Sequence, residues 1–260
     1  MDATKKSLCC LRHQNAGLSF PEFGNKLIHM KYVLIVIAIF SFLSIDTFAQ
    51  NPKSKEVAEA AKTSQKATKA LDEIMAISEK SIPADLLKKA KAVAVFPNVI
   101  KGAFIIGGQG GKGLIVHKRG NTWGAPALFK LGGGSLGFQI GGSSTDVIML
   151  FMSENSVKNL LEDKFEIGGE ASAAAGPVGR TAKASTDAQL QAEILSYSRS
   201  KGLFAGISLS GVVISPDNDA NQELYGHTAK DLLNGTAVNP PVVIPPATMP
   251  FQQAVARYSK

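Results

Sequence analysis

The chain has 260 residues, a formal net charge of +7, and 45% hydrophobic against 19% charged residues, the composition of a folded globular protein rather than a disordered one. Its 25 glycines follow no G-X-Y period, which excludes collagen. The two cysteines, Cys9 and Cys10, are adjacent, which excludes a disulfide framework and a cysteine-ligated zinc or iron–sulfur site.

Residues 1–29 are polar and aperiodic, and Met30-Lys31 reads as the start of the native protein, with an upstream extension before it. Tyr32 to Leu43 is an unbroken run of apolar and small residues, preceded by Lys31 and followed by SIDTFA. A positive start, a short apolar stretch and a small-residue exit make a secretory signal peptide. It is placed at residues 30–49, with cleavage between Ala49 and Gln50. A membrane span needs about 20 apolar residues, so an uncleaved anchor is the weaker alternative. No cysteine follows the run, which disfavours a lipoprotein anchor. The expected protein is exported, periplasmic or secreted, and soluble or peripherally bound to a membrane.

From residue 50 a single α+β domain is expected, mainly antiparallel β with an N-terminal amphipathic helix and a few short helices. Ser54 to Lys80 lacks Gly and Pro, and its apolar positions recur at helical spacing, most strongly from Leu71 to Ile77. A short helix should follow, up to Lys91, with Pro83 in its first turn. From Ala92 the pattern is β: AVAVF, GAFIIG, GLIVH, APALFKL, SLGFQI and DVIMLFM are short apolar runs divided by glycine and turn residues. Ser153 to Lys164 reads as a helix capped by Ser153. ASAAAGPVG, EILSYSRS and GLFAGISLSGVVI return to β, and residues 237–260 read as a proline-rich strap. The gaps are too short for repeated helical crossovers, which favours antiparallel pairing. Trp123 should lie in the core.

Several motif matches fail on context. Gly108 to Gly113 and Gly132 to Gly137 both fit G-x-G-x-x-G, but strand-like sequence follows each where a dinucleotide site needs a helix. Gly133-Gly-Ser135-Leu-Gly137 fits the G-x-S-x-G elbow, with Asp146 or Asp217 and His227 after it, yet Phe138-Gln-Ile-Gly-Gly is a poor helix start. A serine hydrolase using Ser135 is therefore a remote alternative. Asp217 to Thr228 resembles a calcium loop but has Gln222 where glycine is needed and Thr228 where a bidentate Glu is needed, so a structural loop is expected. His117 and His227 lack partners at metal-ligand spacing. No cofactor, nucleotide or nucleic acid is expected.

Charge carries more information than these motifs. Residues 80–130 hold nine bases against one acid, Asp85, whereas residues 131–260 hold nine bases against twelve acids. Such a block favours an anionic partner. The candidate residues are Lys88, Lys89, Lys91, Lys101, Lys112, Lys118 and Arg119, with Arg180 added because GPVGR presents it after a rigid turn. Tyr197, Arg199 and Lys201 alternate along one strand face, where Arg199 could meet either a phosphate or an internal carboxylate.

The stretch from Ile82 to Gly226 resembles the SYLF family of lipid-binding domains. The resemblance is carried by IPADLLKKAKAVAVFPNVIKGAFIIGGQGGKGLIVHKRGNTWGAPALFKLGGGSLGFQIGG, by GPVGR at 176–180, by SYSRSKGLFAGISL at 196–209 and by NQELYG at 221–226. It implies a non-enzymatic protein that meets membranes through phospholipid headgroups, phosphatidylinositol lipids among eukaryotic relatives, with an N-terminal amphipathic helix assisting. Here that helix would lie beside the basic block. The export signal, and the lack of an SH3 or FYVE module, argue against carrying over phosphoinositides or actin. The partner expected is an anionic phospholipid surface. The alternative is a structural or envelope-stress protein whose basic block meets a protein or glycan polyanion.

Overall fold

A computed structural model describes residues 52–77, 81–103, 107–135, 143–162, 164–179, 191–200, 203–207, 209, 211–235 and 242–260, and the structural statements below concern these. The extension and signal-peptide readings lie outside them.

The β-rich sequence forms ten strands: β1 (Ala92–Ala103), β2 (Gly107–Arg119), β3 (Thr122–Trp123), β4 (Ala127–Ser135), β5 (Ser143–Phe151), β6 (Phe165–Ile167), β7 (Ala173–Ala175), β8 (Ile194–Ser200), β9 (Leu203–Gly206) and β10 (Val212–Pro216). Their order is β6-β10-β4-β2-β1-β5-β8-β7, with β3 pairing β2 and β9 pairing β8. Every ladder is antiparallel except β7 on β8. A single bridge, Ile167 to Ala171, brings the two ends of the order together, so the sheet is nearly a closed barrel.

The apolar runs do not alternate with polar residues because both faces of the sheet are covered. One face carries Val93, Val95, Leu114, Val116, Leu128, Ile148, Leu150, Leu195 and Tyr197. It packs against helices α1 (Pro52–Met75), α2 (Ala84–Lys89), α4 (Asn218–Tyr225) and α6 (Met249–Tyr258). The other face carries Ala94, Phe96, Ile115, Phe129, Met149, Phe151, Phe165 and Ile214, and takes Val157 of α3 (Glu154–Asn159) and Leu232 and Leu233 of α5 (Ala229–Asn234). β1 bulges between Phe96 and Val99, where Asn98 has φ 52° and donates its N–H to Asp146 Oδ1 at 2.9 Å.

The long N-terminal helix is present, and its apolar stripe is buried in the fold. Ala60, Ala67, Ala70, Leu71 and Ile74 are buried in the first core cluster. Its C-terminal end is tied down twice: Glu73 pairs with Arg199, and Asp72 accepts from Arg257 Nη2 at 2.6 Å and Tyr258 Oη at 2.8 Å. Apolar contact with a membrane through this stripe, as expected from the sequence, is therefore incompatible with the folded arrangement.

Three further readings are corrected. The helix after Ser153 is shorter than expected and ends at Asn159, with Ser153 Oγ accepting from the Ser156 N–H at 3.0 Å as its cap. The Asp217 to Thr228 segment is largely the helix α4, closed by Gly226 at φ 73°. The strap reading fails at residues 249–258, which form α6 with Pro250 in the first turn, where its missing N–H is harmless. Helix α5 also escaped the sequence reading, although Thr228 and Asp231 form a capping box around its start.

Glycines at two places in one ladder should respond oppositely to alanine. A Cβ on Gly113 would lie within 2.7 Å of the Phe96 ring, whereas one on Gly132 would meet nothing within 4 Å. Urea denaturation is expected to show Gly113→Ala destabilised by more than about 2 kcal/mol. Gly132→Ala should be within about 1 kcal/mol of the parent.

Candidate functional site

Much of the basic block is neutralised inside the fold. Lys91, just before β1, lies 3.3 Å from Glu154 Oε1 in the first turn of α3. The other oxygen of Glu154 faces His117 Nε2 at 3.4 Å without a well-formed hydrogen bond, while His117 Nδ1 donates to the Leu233 carbonyl at 2.7 Å. Lys112 of β2 and Lys130 of β4 share Asp217, at 3.6 Å and 2.8 Å. That carboxylate is only 6% exposed, so removing its lysines would leave a buried charge uncompensated. Arg199 is held by Asp146 at 3.1 Å and by Glu73, so its partner is internal. The backbone of Lys101 lies at the opposite end of the sheet, facing Gln109. The Lys101 side chain, Lys201 and Arg180 lie outside the described residues, as does the side chain of Ser135 at the end of β4.

The remaining candidates converge on one pole. Lys88 and Lys89 are exposed in the last turn of α2. Lys118 and Arg119 end β2, and the Lys118 N–H donates to the Lys91 carbonyl at 2.7 Å, which brings the end of β2 to the start of β1. None of these four has a carboxylate partner among the described residues. Arg119 rests against Gly124 and against Gly235, the left-handed residue that ends α5, where a Cβ would overlap its guanidinium. Lys112 is six residues from Lys118 along the strand, or about 20 Å, so it does not belong to this pole.

At the pole is a cleft of about 370 Å³ lined by Lys88, Lys118, Asn121, Thr122, Trp123, Gln252, Ala256, Ser259 and Lys260. Lys118 Nζ donates to the Lys88 carbonyl at 2.7 Å and stands 5.7 Å from the centre of the Trp123 ring, within cation–π range. The indole is buried, as expected, and the C-terminal helix fixes it. Trp123 Nε1 donates to Ser259 Oγ at 2.6 Å, and Gln252 Nε2 donates to the Trp123 carbonyl at 3.0 Å. Three ammonium groups and no carboxylate line this space, an arrangement suited to an anion. Sequence reasoning found Lys88 and Lys118 through the charge block. It missed Asn121, Thr122, Gln252, Ser259 and Lys260, because the wall they help form includes a helix read as strap.

Comparison with known proteins agrees with the fold and with the order of motifs. The family model described as "Ysc84: Las17-binding protein actin regulator" matches residues 132–258. LAS seventeen-binding protein 3 of Saccharomyces cerevisiae is 37% identical over 174 residues, covering 65% of this chain and 38% of the relative. SH3 domain-containing YSC84-like protein 1 is 32% identical over 187 residues in Xenopus laevis and 30% over 196 in Homo sapiens. These alignments cover 68% and 73% of this chain and 56% and 57% of the relatives. The chain belongs to the SYLF (Ysc84) family. It spans between about two-fifths and just over half the length of these relatives.

The internal role of the Asp217 cluster can be tested by pH. The hydrogen bond to Asp217 raises the Lys130 ammonium above its ordinary range, against a smaller opposing effect of burial. Its charge therefore contributes stability that is fully present below the unfolded value of about 10.4, and that is lost as pH rises through the higher folded value. Urea midpoints of the parent and Lys130→Met are expected to differ at pH 8 and to converge above pH 11.

Proposed function

We propose that this SYLF protein is exported and acts without catalysis, docking peripherally on anionic phospholipid surfaces through the pole formed by Lys88, Lys89, Lys118 and Arg119. The observation that carries this reading is the separation of the basic residues into two groups: those beside Glu154 and Asp217 are engaged, and those at the pole are not. Each Lys or Arg near an anionic bilayer contributes about 1 kcal/mol, so four together would support salt-sensitive association without a membrane span. None of the described helices is long and apolar enough to cross a membrane. The apolar run from Tyr32 to Leu43 supports export.

A second reading has its own support. The yeast relative is named for binding another protein, LAS seventeen, and an acidic protein surface would suit the same pole. Co-sedimentation with neutral and anionic vesicles at low and physiological salt separates the two. Binding only to anionic vesicles, weakened by salt, is the result expected for lipid docking. Replacing Lys88, Lys89 and Lys118 together by Gln should then lower partitioning at least about tenfold. Replacing Lys91 and Lys112 should change it less than about twofold and lower stability instead. The reverse pattern would remove the pole from the mechanism, and no binding to any vesicle would leave the protein-partner reading.

A further inference from the structure

We infer that the Trp123 cleft is a one-to-one binding site for a phosphate monoester. This deepens the docking proposal and rests on reading the pole as the anion-binding face. It differs from diffuse surface attraction in requiring a ligand of particular charge and shape.

The charge of the lining sets the ligand class. Lys88, Lys118 and Lys260 face the cleft with no carboxylate among the lining residues. A phosphodiester brings one negative charge to three ammonium groups. A monoester brings about −1.5 to −2 at pH 7 and three strong acceptor oxygens, which matches the site more closely. Lys118 is already oriented by its bond to the Lys88 carbonyl and its place over the indole, and that single bond leaves two of its three N–H donors free. Less side-chain freedom is then lost on binding.

The remaining groups favour a hydroxyl-bearing substituent on the phosphate. Gln252 directs its Nε2 to the Trp123 carbonyl, which leaves its Oε1 as an acceptor, and Asn121 adds an amide at the cleft. The volume of about 370 Å³ lies within the usual range for small-molecule sites and exceeds that of a bare phosphate. The shared chemistry is a phosphorylated polyol, either free or as the headgroup of a lipid.

Trp123 is the single tryptophan of the 260 residues, so intrinsic fluorescence of the whole protein reads the cleft directly. The probes are glycerol 3-phosphate, the diester glycerophosphoglycerol, and neutral vesicles doped with phosphatidic acid or phosphatidylglycerol to equal surface charge. The expected result is a saturable change with the monoester, one equivalent by calorimetry, and at least about fivefold weaker binding of the diester. Lys118→Gln should weaken the monoester at least about fivefold. So should Lys260→Gln, an exposed position whose replacement leaves the fold intact, whereas Lys89→Gln, outside the lining, should not. Monoester preference in free solution and in vesicles, or in vesicles alone, supports the inference, and the second pattern identifies a lipid headgroup as the source. Monoester binding in solution without vesicle binding supports the inference and overturns the docking proposal. Equal response to monoester and diester overturns the inference, while charge-dependent vesicle binding would leave the docking proposal standing.

Discussion

Leu71 and Ile74 are fully buried in the core cluster shared with the sheet, and each side chain of that size is worth about 1.5–3 kcal/mol when buried. Lifting α1 from the sheet would forfeit that burial along with the ties of Asp72 and Glu73 to Arg257, Tyr258 and Arg199. A lysine near an anionic bilayer contributes only about 1 kcal/mol. Electrostatic contact at a few positions does not readily repay the release of α1, so the helix belongs to the fold and the contact surface must lie elsewhere.

The same comparison applies to the charges. A solvent-facing ammonium can move to a phosphate at little cost, but Lys112 and Lys130 would leave Asp217 buried without a partner, and an uncompensated buried charge is strongly destabilising. Lys88 and Lys118 carry no such obligation. The pairing of carboxylates with bases thus reduces a block of nine basic residues to one pole, and the arrival of the C-terminal helix gives that pole a cleft with an aromatic wall.

The strand sequence from Ala92 onward was legible because apolar runs of strand length alternate with glycine and turn residues, and both faces of those strands are buried. Three helices were misread or passed over for local reasons. Asp217 and Asn218 read as loop residues although they lead into α4, and Pro250 read as extended chain although it sits in a first turn. Thr228-x-x-Asp231 was a visible capping box that the reading did not use. The selection among lysines could not be read in sequence. Glu154 and Asp217 lie far along the chain from the bases they neutralise, and only the sheet register and helix packing bring them together. Family resemblance reached the domain and its lipid-binding expectation, but not the assignment of one lysine over another.

Hydrogen–deuterium exchange of the protein with and without anionic vesicles tests most directly whether membrane contact leaves the fold closed. Slower exchange is expected in segments 84–91, 117–123 and 252–260, with exchange across α1 unchanged. Faster exchange along Leu71 to Met75 or in the strands beneath it, or protection of α1 without protection of the pole, would contradict the account and make release of the helix the mode of binding.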